Sequence, residues 1–264
     1  MEDKMNKKKK VTAVVISQQE IATDIYEMWL QTELAEAAEP GQFLCLYTGD
    51  GGKLLPRPIS ICEVGEEKKS LRLVYRVAGA GTREFSGYRS GKEVPVLGCL
   101  GNGFPLEEGE GKTAFLIGGG IGVPPILQLA KERNGKGKNI ILAGYRNQET
   151  FLKEDFEKYG ELHIATEDGS VGVKGNVMDI IEKRELHADC IYACGPMPML
   201  RAIKKYAAQQ GIKAYISLEE RMACGVGACL GCVCKTTKKD SHSNVNNARI
   251  CTDGPVFEAG EVDI

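Results

Sequence analysis

Between residue 11 and about residue 100, apolar positions come in short runs separated by turn residues. The runs at 11–16, 42–47, 59–64, 71–77 and 94–97 are broken by Pro40-Gly41, Gly51-Gly52, Gly65 and Gly79-Ala80-Gly81. None of them holds a helical period for long, so this segment predicts an antiparallel β-barrel or sandwich. From about 112 to 218 the rhythm changes. Apolar runs at 114–117, 140–145, 162–166, 190–193 and 214–218 alternate with helical stretches at 123–133, 151–159, 177–185 and 197–210. That alternation predicts an α/β domain, a parallel sheet covered on both faces. The 44 residues from Arg221 differ again, holding five cysteines and almost no apolar run. A segment so poor in core residues needs a staple to fold. The chain therefore divides into three domains, at 1–106, 107–218 and 219–264.

Composition narrows the function class. With 27% charged residues and a formal net charge of -2, nothing points to a nucleic-acid partner. No window approaches the ~20 apolar residues of a membrane span. The basic Lys7 to Lys10 precede an apolar run too short for a signal peptide. The expectation is a cytoplasmic protein whose Lys-rich opening segment is frayed and whose start is Met1 or Met5. Glycine is 32 of 264 residues, and there are ten cysteines against three histidines. The question is what the cysteines hold.

Cys224, Cys229 and Cys232 form C-x4-C-x2-C, and eighteen residues separate Cys232 from Cys251. This is the plant-type spacing of a 2Fe–2S cluster on four thiolates. Gly225, Gly227 and Gly231 let backbone N–H groups approach the sulfurs. Structural zinc is the competing reading, but it usually pairs two C-x2-C knuckles or uses histidine. The only nearby histidine, His242, sits in a polar loop. Cys234 could replace Cys232, but the x2 gap favours Cys232. Residues 235–250 read as an exposed polar insertion, and Cys45, Cys62 and Cys99 as buried packing residues.

Two further motifs carry nucleotide chemistry. Gly118-Gly119-Gly120-Ile121-Gly122 follows an apolar strand and opens a helix, so its backbone can approach a pyrophosphate at a helix N-terminus. Val123 stands where G-x-G-x-x-G requires its last glycine, so the ordinary dinucleotide fingerprint is absent. Cys194-Gly195-Pro196-Met197 lies at the carboxyl end of the fourth strand of the α/β series, where open sheets bind ligands.

Together these residues resemble the ferredoxin–NADP reductase superfamily, whose flavin barrel carries Arg-x-x-Ser and whose α/β domain carries Gly-Gly-Gly-x-Gly and Cys-Gly-Pro. Here the barrel segment has Arg57-Pro58-Ile59-Ser60, then Val74-Tyr75-Arg76 and Gly81-Thr82. The resemblance implies that these residues hold FAD, the arginine and the Gly-Thr pair on its phosphates. It implies that Gly118, Gly119, Gly120, Gly122, Thr166, Asp168, Gly195, Pro196 and Met197 line an NAD site. Cys194 would then lie beside the nicotinamide. Many members end at an aromatic residue against the flavin. This chain instead runs from Ser217-Leu218-Glu219-Glu220 into the cysteine loop.

That order, with the closing Cys251-Thr252-Asp253-Gly254-Pro255, is similar to the electron-transfer subunits of class B dihydroorotate dehydrogenases. The likeness implies a diaphorase-active oxidoreductase subunit of pyrimidine biosynthesis. Its partner would be an FMN-containing catalytic subunit, in a heterotetramer of two of each. A ferredoxin- or sulfide-linked NAD(P) oxidoreductase of the same architecture is one alternative, and a zinc-stabilised nucleotide-binding module another. Arg146, after the second α/β strand, could bind the 2′-phosphate of NADP, so the preference for NAD rests on the resemblance.

Overall fold

The computed structural model describes residues 8–239 and 244–264, so Met5 and His242 lie outside the described residues. Six strands close an antiparallel barrel: β1 (Lys9–Ala22), β2 (Ile25–Gln31), β3 (Phe43–Leu46), β4 (Arg57–Val64), β5 (Ser70–Arg76) and β6 (Glu93–Leu100), in spatial order β1-β2-β5-β4-β3-β6. Alternating inward residues fill it, among them Val15, Met28, Leu30, Leu44, Ile61, Leu71, Leu73 and Val96. Closure removes the bare sheet edges that strands of this length would expose. A short helix, α1 (Ala80–Ser86), follows β5 where only a glycine turn was expected. It forms because Thr82 Oγ1 accepts from the N–H groups of Ala78 and Gly79 at 2.9 and 3.2 Å, capping its first turn.

The second unit is a sheet in the order β10-β9-β8-β7-β11-β12-β15. Its parallel core comprises β7 (Thr113–Gly119), β8 (Lys138–Tyr145), β9 (Glu161–Thr166), β11 (Cys190–Cys194) and β12 (Lys213–Ser217), with the short β10 (Val173–Lys174) beside β9. Helices α2 (Pro124–Arg133), α3 (Lys153–Phe156), α4 (Val177–Lys183) and α5 (Met197–Gln210) connect these strands. Residues 114–117 of β7 are wholly buried, as a two-sided parallel strand requires.

The C-terminal segment is less separate than its composition suggests. It contains a two-stranded ribbon, β13 (Val233–Lys235) with β14 (Asn247–Arg249), whose second strand lies inside the stretch read as an exposed polar insertion. Its last strand, β15 (Val256–Glu258), then pairs antiparallel with β12 and becomes the edge of the α/β sheet. Among the described residues no helix is long and apolar enough to cross a membrane.

Candidate functional site

The first of three loci begins on β4. Arg57, Pro58, Ile59 and Ser60 are all half-buried, whereas Ile61 and Cys62 beyond them are fully buried. The guanidinium of Arg57 lies across Gly81: a Cβ there would sit 2.6 Å from Arg57 Cζ, so any larger residue would displace the guanidinium. Arg57 Nη1 also donates to the carbonyl of Leu55. Arg57, Gly81 and Thr82 thus converge at the N-terminal turn of α1. That turn is a cationic, N–H-rich cradle suited to phosphate. Tyr75 faces the barrel core, and its hydroxyl donates to Gln18 Oε1 at 3.1 Å, so it can meet a cofactor only through its backbone. Val74 is also buried, whereas Arg76 is half-buried and leans toward the α/β domain.

There the second locus begins. Arg76 Nη2 lies 3.6 Å from the Cβ position of Gly120, whose φ is +54°. Strands β7 and β11 are neighbours in register, with Gly118 opposite Cys194 and Cys194 opposite Ser217 on β12. The two nucleotide loops therefore sit side by side. Their glycines serve this packing as well as any ligand. A Cβ on Gly119 would come within 2.7 Å of Met199 Sδ and 3.0 Å of Pro196 Cδ, and one on Gly122 within 2.5 Å of the carbonyl carbon of Cys194. Gly195 packs equally closely on Gly119, and Met197 opens α5. Cys194 is 1% exposed, and burial pushes its thiol up. Thr166 is fully buried; its Oγ1 donates to the carbonyl of Val171 at 2.8 Å, closing the loop that carries Asp168. Asp168 in turn accepts from Ser170 N and Oγ, which hold its carboxyl below the usual range. Sequence reasoning assigned Glu219 no role. It is exposed yet lies within electrostatic reach of Arg76 and Cys194, and desolvation pushes its carboxyl up against the opposing field of Arg76.

The third locus is the cysteine loop. Positive φ at Gly225 (+70°), Gly227 (+85°) and Leu230 (+57°) turns the backbone so that its N–H groups face sulfur. Cys224 Sγ accepts from Val226 N and Cys229 N, and Cys229 Sγ from Gly231 N, each at 3.4 Å. Burial raises the Cys224 thiol, but these donors outweigh it and bring it down to about 6, so it is poised as a thiolate. Cys232 and Cys251 are buried beneath it, and burial together with the neighbouring Cys232 pushes the Cys251 thiol up to about 12. The half-buried Cys234 sits on β13 opposite Ala248. Among the described residues, no three His, Cys, Asp or Glu side chains gather around a single point as a one-ion site requires. A 2Fe–2S unit needs two thiolates on each of two irons instead, and this segment offers four sulfurs, with N–H donors directed at Cys224 and Cys229. The donor set fits that group.

Two of the three loci match family models. Residues 219–263 match the iron–sulfur cluster binding domain of dihydroorotate dehydrogenase B, and residues 116–205 the oxidoreductase NAD-binding domain. A dihydroorotate dehydrogenase B (NAD(+)) electron transfer subunit of Bacillus cereus (strain B4264) is 45% identical over 258 residues, covering 96% of this chain and 98% of its own. The chain belongs to the family of dihydroorotate dehydrogenase B electron transfer subunits. The corresponding subunit of Bacillus anthracis (strain CDC 684 / NRRL 3495) is also 45% identical over 96% of this chain. An NADH-dependent reduced ferredoxin–NADP oxidoreductase superposes with a TM-score of 0.84 at 26% identity, covering 95% of this chain and 89% of its own. A ferredoxin NADP+ reductase of Neisseria gonorrhoeae shares the fold at a TM-score of 0.65 and 15% identity, over 81% of this chain and 94% of its own. As a dihydroorotate dehydrogenase B electron transfer subunit the chain is an oxidoreductase component that uses FAD, a 2Fe–2S cluster and NAD. The family to which residues 219–263 belong binds iron–sulfur, not zinc.

Proposed function

We propose that this chain takes electrons from an FMN-containing, dihydroorotate-oxidising catalytic subunit and delivers them to NAD+, in a heterotetramer of two of each subunit in the cytoplasm. When bound, the cluster supplies single-electron carriage, FAD the exchange between one- and two-electron transfer, and NAD the hydride acceptor. The chain's own residues hold and orient these groups. Cys224, Cys229, Cys232 and Cys251 are the iron ligands. Arg57, Gly81 and Thr82 bind the FAD phosphates, while Pro58, Ile59, Ser60 and the backbone of Val74, Tyr75 and Arg76 border the flavin ring. Gly118, Gly119, Gly120 and Gly122 with Gly195, Pro196 and Met197 form the pyridine-nucleotide cleft. Thr166 shapes the loop that presents Asp168 to the ribose. Cys194 walls the nicotinamide pocket without covalent chemistry.

One observation carries this reading: the flavin-motif strands touch both other loci. Arg76 reaches Gly120 of the nucleotide loop, and Cys45 on β3, the neighbour of β4, touches Gly225 of the cysteine loop. None of the ten cysteines is joined in a disulfide, in keeping with a reducing compartment. The test is anaerobic co-purification with a dihydroorotate dehydrogenase catalytic subunit, followed by assay of dihydroorotate-dependent NAD+ reduction. A complex that reduces NAD+ faster than the catalytic subunit alone supports the assignment. No gain in rate refutes it.

A further inference from the structure

Electron transfer between two centres falls off exponentially with their separation, so whatever fixes that separation sets the rate. Strand β3 is bonded on one side to the flavin motif, with Phe43 opposite Ser60, Cys45 opposite Pro58 and Leu46 opposite Arg57. On its other side it pairs with β6, Cys45 standing opposite Leu97 across a bulge. The Cys45 side chain is fully buried in one apolar cluster with Leu100, Met222, Cys232 and Cys251. Gly225, next to the ligand candidate Cys224, rests directly on this strand pair. Its Cβ position lies 3.0 Å from Cys45 Sγ and 3.1 Å from Leu100 Cδ1.

A second anchor lies at the end of β6. Asn102 N donates to the carbonyl of Gly254 at 2.6 Å, and Asn102 Nδ2 donates to the carbonyls of Asp253 and Thr252 at 2.9 and 3.3 Å. Those three residues directly follow Cys251. Gly101, just before Asn102, packs so closely on Gly254 and Pro255 that a Cβ there would sit 2.8 Å from the Gly254 carbonyl. The first and the last ligand-bearing loops are thus both fixed to the β3–β6 side of the flavin barrel.

We propose that Cys45, Leu100 and Asn102 form a seat that sets the distance between the iron–sulfur and flavin sites, and that they are positioning residues for electron transfer between them. This rests on the cofactor assignment above. Cys45 is neither a ligand nor a disulfide partner here; its size is what matters. A bulkier side chain would lift Gly225 off the barrel, whereas serine preserves the spacing.

The experiment uses the purified holoprotein, with FAD and iron quantified, mixed anaerobically with NADH in a stopped-flow spectrometer. Visible circular dichroism of the cluster bands and the rate of iron loss to a chelator are recorded in parallel. For Cys45→Leu we expect full FAD content, an unchanged flavin-bleaching phase and altered dichroism. The later iron–sulfur phase should slow several-fold, since its rate falls exponentially as the added bulk separates the two sites. Cys45→Ser adds no bulk against Gly225, so it should leave the iron–sulfur phase at the wild-type rate. The exposed Asn102→Ala should lose iron to the chelator several-fold faster. A Cys45→Leu protein with full cofactors and an unchanged iron–sulfur phase overturns the proposal. If Cys45→Leu does not load its cofactors, Asn102→Ala decides: unchanged iron release and unchanged dichroism overturn it. Wild-type protein without flavin or iron absorption would instead sink the cofactor assignment itself.

Discussion

Arg72 joins the barrel to the nucleotide domain, and its removal has a computable cost. Its guanidinium is 12% exposed and meets three carboxylates: Glu27 on β2 (Nε to Oε2, 2.6 Å), Glu63 on β4 (3.1 Å) and Asp155 on α3 (2.9 Å). Lys131 on α2 pairs with Glu63, and Lys158 with Asp155, so three cations balance three anions. Arg72→Met keeps the aliphatic stem but leaves three acids facing two lysines. Breaking a buried pair from one side costs about 3–5 kcal/mol, which for a domain of this size lowers the melting temperature by on the order of 10 °C.

Acidity gives the check. Burial raises the Asp155 carboxyl, but Lys158 and Arg72 outweigh it and hold it below the ordinary range. A depressed carboxyl contributes stability above its unfolded pKa, about 3.9, and that contribution is lost as pH falls through the folded value. In the wild type this contribution therefore stays in place from pH 7 down to about 4 and is lost only on further acidification. In Arg72→Met the orphaned acids gain by protonation, so the deficit relative to wild type should shrink as pH falls from 7 to 5. Asp155→Asn removes the Arg72 arm together with the exposed Lys158 pair and should cost about 1.5–3 kcal/mol, the worth of a charged hydrogen bond. The assay is thermal unfolding of the FAD-loaded protein at several pH values. An Arg72→Met melting point within 2 °C of wild type at pH 7, or a deficit that grows on acidification, would refute the reasoning.

Other predictions concern the loci singly. Cys194→Ser should slow NADH oxidation while FAD stays bound; unchanged turnover would remove Cys194 from the nicotinamide pocket. Gly122→Ala drives a methyl into the backbone of Cys194 and Gly195. It should raise the KM for NADH by about tenfold, an overpacking cost within the ~1–3 kcal/mol range. Gly51→Ala, with open space around it, should change nothing. Cys251→Ser should lower iron per chain several-fold with FAD retained, as measured by metal analysis against flavin absorbance.

The parts of this architecture that local pattern dictates are legible in the sequence. The helix at 197–210 emerges with those bounds because its apolar stripe and flanking Pro196 and Gly211 act over neighbouring residues. The cysteine spacing is readable for the same reason. Helix α1 is not, since Gly79-Ala80-Gly81 reads as a turn until Thr82 is seen capping it. Cys45 reads as an isolated core thiol, because its contact with Gly225 spans the whole intervening α/β domain. The glycines of the nucleotide loop point to a ligand in sequence, yet Gly119 and Gly122 are equally required by the loop at 194–199, a pairing that only the register of β7 and β11 creates.

The antiparallel strand β15 has a consequence for synthesis on the ribosome. Topologically, the cysteine module is an insertion between two adjacent strands of one sheet, β12 and β15, rather than a tail. While the chain is being made, β12 emerges with a bare edge that stays uncovered until the whole cysteine loop has followed it. A naked strand edge is a template for aggregation. Completion of the nucleotide-binding sheet therefore waits on the segment that receives iron. Nascent chains starved of iron–sulfur supply should be the ones that expose β12 longest and are cleared first by chaperones and proteases.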